Sequence, residues 1–493
     1  MEKLILALDQ GTSSSRAVLY DHQAQPLGSQ SRPFQCRYPQ PGWVETDAAL
    51  LWETQRDAVQ ALLLERGVQA SQLQAIGLTN QRETVMAWDR ATGEALTPAI
   101  VWQCRRTTED CQSLRASGIE GELRQRTGLL LDPYFSGTKV RWLLNQDPSL
   151  RRAAIKGGVA FGTVDSWIIW QLSGGKTHIT DASNASRTLL YNLVSGDWDP
   201  WLLQALDIPR VCLPTICDSA GILAHTDPQV FGARVPITGV AGDQQAALFG
   251  QNCLRAGMAK NTYGTGCFLL LNTGDKPVRS EHGLLSTVAW QLNGQLTYAL
   301  EGSVFMAGAL IAWLRDELGI IDSAEQSQEL AESVSDAGGV HLVPAFVGLG
   351  APHWDPNARG MISGLTRGSS KAHIVRAALE AVAWQNFDLL QAMEADTGNQ
   401  LHELRIDGGM SGNDLLAQFQ ADVLQRPVSR AAQAESSALG AALLAGLGSG
   451  VWTWDQLGDL WQGERHFEPA MDVAERDLRL SGWQHALRQV RRD

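Results

Sequence analysis

Little in this sequence suits a secreted, membrane-spanning or nucleic-acid-binding protein. Its seven cysteines are an odd number in 493 residues, and no two are spaced Cys-x-x-Cys. Reduced cytosolic thiols fit that count and spacing better than a disulfide framework. No apolar run approaches the roughly 18 residues of a membrane span. The first run, residues 4–8, ends at Asp9 and is too short for a signal peptide. Positive charge is in deficit, with 40 Lys and Arg against 53 Asp and Glu, a net charge of −13. No basic stripe offsets it, so neither nucleic acid nor an anionic membrane is expected as a partner. Low-complexity tracts and long linkers are absent. Asn184-Ala-Ser186 has the form of a glycosylation acceptor, but a cytoplasmic chain has no use for it.

The remaining composition, 44% hydrophobic and 19% charged, is that of a soluble globular protein. The chain is too long for one core and predicts two large α/β domains, 1–250 and 251–493. Strands are expected at residues 4–8, 17–20 and 75–79, and again at 258–262, 268–272, 284–289 and 296–300. Helices are expected at 48–65, 137–144, 305–318, 372–395, 413–424 and 436–447. With no linker between them, the two halves should move as hinged lobes around one cleft.

Three glycine-rich turns interrupt this pattern. Asp9-Gln-Gly-Thr-Ser-Ser-Ser-Arg16 lies between two apolar runs. Gly11 allows a sharp bend and a close approach by a ligand. Thr12, Ser13 and Ser14 supply the hydroxyls and N–H groups that a phosphate chain needs. Asp9 can hold a hydrated Mg²⁺ through one carboxylate, and Arg16 adds fixed positive charge. An ordinary polar hairpin would use similar residues. Asn261-Thr-Tyr-Gly-Thr-Gly266 repeats the theme in the second half. Leu404-Arg-Ile-Asp-Gly-Gly-Met-Ser-Gly-Asn413 leads a strand through a glycine pair into a helix N-terminus, which favours an anion. In this order the turns resemble the two phosphate motifs and the adenosine motif of actin-like ATPases and sugar kinases.

Two polar stretches are candidates for the chemistry. Gly239-Val-Ala-Gly-Asp-Gln-Gln-Ala-Ala-Leu-Phe-Gly250 places Asp243 where a strand gives way to a helix. A carboxylate there can orient an acceptor hydroxyl and receive its proton, and it can equally serve as a helix N-cap. Thr79-Asn-Gln-Arg-Glu-Thr84 follows a strand, and the C-terminal ends of strands are where α/β sheets bind ligands. Arg82 can donate to vicinal hydroxyls and Glu83 can accept from them, or the stretch is a salt-bridged surface turn. Trp102 and Phe268 can cover the carbons of a small polyol or belong to the core. Ser173-Gly-Gly-Lys-Thr177 looks like the end of a P-loop but has Trp170 where that motif needs glycine, so it reads as a turn.

Together these residues resemble the FGGY family of carbohydrate kinases from Leu4 to about Arg492. Tyr134-Phe-Ser-Gly-Thr-Lys-Val-Arg-Trp-Leu-Leu-Asn-Gln146 fits the family's first signature. Gly360-Met-Ile-Ser-Gly-Leu365, continuing through His373-Ile to Ala377-Ala-Leu-Glu380, fits its second. Asn80-Gln-Arg-Glu83, Ile100-Val-Trp-Gln-Cys-Arg-Arg106 and Asn261-Thr-Tyr-Gly-Thr-Gly-Cys-Phe268 are similar to members that phosphorylate glycerol.

The resemblance implies two actin-like, ribonuclease H-like domains facing a catalytic cleft. It implies transfer of phosphate from ATP to glycerol, giving ADP and sn-glycerol 3-phosphate, with Asp243 as general base. Arg82, Glu83, Tyr134, Asp243 and Gln244 would bind the hydroxyls, with Trp102 and Phe268 against the carbons. Thr12, Ser13, Ser14, Arg16 and Thr265 would hold phosphates, and Gly308, Gly409 and Asn413 would line the nucleotide pocket. Asp9 would reach Mg²⁺ through water. Dimers or tetramers occur in the family, so self-association is a family expectation.

Two departures stand out. Ala312 replaces a glutamine common beside the nucleotide. The stretch from Gln229 to Arg234 is shorter than the loop by which some bacterial members bind fructose 1,6-bisphosphate, with Gly232 its only glycine. Rival readings are a kinase of another small polyol or ketose, an actin-like chaperone or filament ATPase, and a catalytically silent binding protein. Intact Asp9 and Asp243 weigh against the last.

Overall fold

The protein is described here by a computed structural model covering residues 3–433 and 435–491. Two large sheets organise it. The first runs Ala220–His225, Pro236–Gly242, Leu73–Asn80, Leu4–Gln10, Ser14–Tyr20, Pro26–Pro33. The second runs Leu285–Leu292, Gln295–Val304, Cys267–Gly274, Ala259–Tyr263, Leu404–Asp407, Val428–Ala431, Gly463–Phe467. From Pro26–Pro33 in one and Gln295–Val304 in the other, successive pairings repeat: antiparallel, antiparallel, parallel, parallel, antiparallel. Leu285–Leu292 adds one further antiparallel strand to the second sheet. This duplicated succession is the actin-like, ribonuclease H-like architecture expected from the three turns.

The strand order follows from residue patterning. Leu4–Gln10 and Leu73–Asn80 are apolar over most of their length and buried on both faces, as strands with parallel neighbours and covered faces are. Pro26–Pro33 alternates exposed and half-buried residues and has proline at both ends, which suits an edge.

Helix Ala48–Arg66 covers one face of the first sheet. Asp47 caps it by accepting from the Ala49 N–H, and Gly67 ends it in the left-handed conformation at φ 63°. Leu51, Ala58 and Leu62 pack with Leu6, Leu8 and Ile76, each large side chain worth about 1.5–3 kcal/mol on burial.

Helix Ser436–Gly448 returns from far along the chain to cover the other face, beside helix Asp243–Gly250. Its small residues permit unusually close contact. A Cβ on Gly440 would meet the Ala246 carbonyl oxygen at 1.7 Å, and one on Gly77 the Ala441 oxygen at 2.1 Å.

The expected helices appear as Ala48–Arg66, Ser136–Gln146, Gly308–Asp316, Lys371–Thr397, Asp414–Leu424 and Ser436–Gly448. A four-stranded sheet of Glu45–Thr46, Ala99–Ile100, Val85–Asp89 and Val159–Thr163 lay outside the sequence pattern. Two of its strands have only two residues, too few for a periodic signal, and they form through tertiary pairing. Residues 173–177 form a turn with Gly174 and Gly175 at φ 63° and 76°, and Lys176 pairs with Asp227 at 2.5 Å. Asn184 is fully buried and bonds to Asn80 and Asp181, so it presents no glycosylation site. All seven cysteines are free, and no described helix is long and apolar enough to cross a membrane.

Candidate active site

Strand Leu4–Gln10 carries Asp9 near its C-terminal end, and the chain then turns tightly, with the Gly11 N–H donating to the Ser14 carbonyl at 2.9 Å. Thr12 and Ser14 are half-buried and Ser13 is exposed. Burial pushes the Asp9 carboxyl up to about 7, with Asp243 and Glu435 reinforcing the shift and Arg16 opposing it. Arg16 itself is ion-paired with Glu435 from the second half.

The parallel neighbour Leu73–Asn80 delivers Gln81, Arg82 and Glu83 just beyond its own end. The surface-turn alternative fails here, because every residue from Thr79 to Thr84 is at most 3% exposed. Glu83 adopts φ 61°, rare for a residue with a side chain and worth about 1–3 kcal/mol of strain. Its surroundings hold it there. The Glu83 carbonyl accepts from Ser136 Oγ at 3.0 Å and Lys139 Nζ at 3.4 Å, and its carboxylate accepts from Arg187 Nε at 2.6 Å.

Arg82 donates to Glu301 through both Nη atoms, the Nη2–Oε1 contact at 3.1 Å, and to Gln245 at 3.3 Å. Its Nε lies 3.2 Å from Asp243 Oδ1. Glu301 also accepts from Arg187 Nη2 at 3.0 Å, closing a buried quartet of two guanidinium groups and two carboxylates. Burial alone would raise the Glu301 carboxyl, but Arg187 and Arg82 together hold it down to about 2. Glu83 has one guanidinium at bonding distance, and burial pushes its carboxyl up.

Asp243 opens helix Asp243–Gly250, and Gly242 rather than Asp243 is the N-cap. The Gln244 N–H donates to Asp243 Oδ1 at 2.7 Å. Burial raises this carboxyl, and Arg82, the Gln244 N–H and Lys260 oppose the shift. Lys260, fully buried, donates to Gln244 Oε1 and to Thr262 Oγ1 at 2.8 Å. Burial drops its ammonium to about 8 despite Asp407 and Asp243 nearby. Trp102 Nε1 donates to Thr12 Oγ1 at 2.9 Å, joining the phosphate-type turn to an aromatic wall. Trp102 and Tyr134 meet edge to face at 5.6 Å. Burial pushes the Tyr134 phenol up, so the group stays protonated and able to donate.

In the second half, Gly264-Thr265-Gly266 forms the turn between strands Ala259–Tyr263 and Cys267–Gly274. The Ala307 and Ala309 N–H groups both donate to the Thr265 carbonyl at 3.0 Å, and the Gly308 N–H donates to the Gly264 carbonyl at 2.9 Å. Phe268, just past the turn, is half-buried. Beside it, the Gly408 turn runs close to Tyr263, where a Cβ would meet the Tyr263 carbonyl at 2.5 Å. Gly409 begins a 3₁₀ turn, and Asn413 caps helix Asp414–Leu424 by accepting from the Leu416 N–H at 2.9 Å.

Contacts thus join Thr12, Trp102 and Tyr134 in one group and Arg82, Glu83, Asp243 and Gln244 in another. Thr265 and Gly308 lie together at the turn beyond the second sheet, where a Cβ on Gly308 would meet Met410 Sδ at 3.7 Å. Arg187, Glu301 and Lys260 escaped the sequence reading, and Lys139 entered it only within the first family signature, without a role. Their one signal is an ionisable residue between apolar or small neighbours, as in Ala299-Leu-Glu-Gly302.

The family models for the N-terminal and C-terminal domains of FGGY carbohydrate kinases match residues 4–250 and 259–449. A glycerol kinase of Deinococcus radiodurans is 55% identical, covering 99% of this chain and 97% of its own. A glycerol kinase of Dechloromonas aromatica is 54% identical over 99% of this chain and 97% of its own. Among solved structures, Plasmodium falciparum glycerol kinase with ADP superposes with a TM-score of 0.94 at 33% identity, covering 100% and 99% of the two chains. With a family domain matched in each half and relatives aligned over nearly its whole length, the chain belongs to the FGGY family of carbohydrate kinases.

Proposed function

We propose that this chain transfers the γ-phosphoryl group of ATP to a terminal hydroxyl of glycerol, releasing ADP and sn-glycerol 3-phosphate. The observation that carries this reading is Asp243, a carboxylate whose Oδ1 is ion-paired with Arg82 and accepts from the Gln244 N–H. Both contacts fall on one oxygen, so Oδ2 can accept the acceptor's O–H. As the hydroxyl oxygen bonds to the γ-phosphorus, its proton passes to Asp243, and the bond to the β–γ bridging oxygen breaks. Arg82, Glu83, Tyr134 and Gln244 bind the hydroxyls, and Trp102 and Phe268 face the carbons. Thr12, Ser13, Ser14, Arg16 and Thr265 hold the phosphates, and Gly308, Gly409 and Asn413 line the nucleotide pocket.

The Asp9 site fits Mg²⁺. Its carboxyl is raised partly by neighbouring carboxylates, a repulsion that a cation relieves. Asp9 would hold the ion through one carboxylate, the usual protein share of a Mg²⁺ site beside phosphates. Mg²⁺ held there supplies charge neutralisation on the phosphates. The lobes 1–250 and 251–493 close to exclude water, a smaller competing nucleophile. Self-association is part of the same reading, and sedimentation tests it.

The testing experiment is ADP release with Mg²⁺ and glycerol, dihydroxyacetone, erythritol, xylulose or no acceptor. Preference for glycerol with a low blank is the expected result. Equal release without acceptor means an ATPase, and preference for a ketose or longer polyol reassigns the pocket.

A further inference from the structure

Arg187 and Glu301 come from opposite halves of the chain and meet beside Arg82 and Glu83, at most 2% of either side chain being exposed. Glu301 sits in strand Gln295–Val304 of the second sheet, and Arg187 lies just past the short helix Ala182–Ala185. Both are buried, so surface charge does not explain them. Glu301 Oε1 accepts from Arg82 Nη2 at 3.1 Å and from Arg187 Nη2 at 3.0 Å. Arg187 gives its Nε to Glu83 at 2.6 Å, while its Nη1 is buried without a hydrogen-bond partner among the described residues. The same guanidinium lies 5.7 Å from the Tyr134 ring and 5.2 Å from the Phe135 ring.

We infer that Arg187 and Glu301 are positioning residues of the acceptor pocket, orienting Arg82 and Glu83 for the polyol. The inference rests on the proposed assignment of Arg82 and Glu83 to acceptor hydroxyls. A planar guanidinium held through two nitrogens has one orientation, so Glu301 determines where Arg82 directs its Nε toward Asp243. Arg187 does the same for Glu83, whose left-handed backbone leaves the side chain few other directions. Because Glu301 belongs to the second sheet, the pocket's geometry depends on how the two sheets are seated. The four charges sum to zero. Removing one leaves a buried charge uncompensated, whereas removing Arg187 and Glu301 together keeps the balance.

The test compares Glu301→Gln with the charge-balanced double variant Arg187→Gln, Glu301→Gln. Steady-state KM is measured separately for glycerol and ATP, with kcat and melting temperature alongside. The double variant is expected to fold and to raise the glycerol KM about tenfold or more, as a lost bidentate contact does. Its ATP KM should stay within about twofold, a split that general loosening of the fold would not give. A folded double variant with wild-type glycerol KM overturns the inference, as does an equal rise in both KM values. Wild-type enzyme run in parallel separates the two claims. If it prefers another polyol, the glycerol reading fails, and the same KM split measured with that polyol decides the positioning role.

Discussion

Arg82 and Asp243 meet at 3.2 Å, Nε to Oδ1, although they leave different strands of the first sheet, Leu73–Asn80 and Pro236–Gly242. Those strands are parallel neighbours, with Asn80 opposite Gly242, so their C-terminal ends bring the two side chains together. The arginine is itself anchored on Glu301. The candidate base is therefore oriented by a buried cation that is fixed from the other sheet.

Asp243→Asn keeps the size of the side chain and an oxygen for Arg82 but cannot take a proton. Turnover is expected to fall about 100- to 10,000-fold, the usual worth of positioned acid–base assistance. Coupled ADP release at saturating glycerol and ATP measures it. Turnover within about tenfold of wild type removes Asp243 from the role.

Arg82→Ala strips one cation from the buried quartet. Breaking a buried ion pair costs about 3–5 kcal/mol, so the melting temperature falls by several degrees. Glycerol KM rises while ATP affinity changes little. Collapse of ATP affinity instead would move the polyol pocket away from Arg82.

Asp9 predicts a pH dependence of stability. Its folded pKa is raised to about 7, against about 3.9 for an unfolded aspartate. Between those values the folded chain keeps a proton that the unfolded chain has released. The stabilisation is complete below about 4 and is lost as pH rises through about 7. Asp9→Asn removes that loss, so the ligand-free variant gains melting temperature over wild type at pH 8 and gains less at pH 5. Thermal scans at both values check this, and equal shifts contradict it.

Trp102→Phe keeps an aromatic wall beside Tyr134 and deletes the donor to Thr12. A neutral hydrogen bond is worth about 0.5–1.5 kcal/mol, so ATP KM should rise about two- to tenfold. Glycerol KM should change less. The opposite ordering would mean that Trp102 acts only through its ring face.

Gly440→Ala tests the return of helix Ser436–Gly448 onto the first sheet. The new methyl would lie 1.7 Å from the Ala246 carbonyl, and backbone cannot yield as a side-chain tip does. Destabilisation of about 1–3 kcal/mol or more is expected by denaturant titration. A wild-type midpoint would mean that the two helices are not held in this contact.

The long elements were legible because each carries its own signal. Residues 48–65 show apolar spacing of helical period, and residues 4–8 and 75–79 form short apolar runs bounded by polar turns. Glycine- and serine-rich turns were legible because few other residues allow such bends beside a ligand. The sheet of Val85–Asp89, Ala99–Ile100 and their neighbours was not, since strands so short take their conformation from their partners.

By itself, the sequence determined the two-domain α/β class, the three turns, the family resemblance and the residue types able to handle phosphate and polyol. These depend on local backbone preference and periodicity, which act over a few residues. Only the tertiary structure decided that Glu83 is left-handed, that Asp243 is held by Arg82, and that Arg187 and Glu301 complete the quartet. A charge's role depends on which distant charge it meets after burial, and that pairing is decided by sheet order and register.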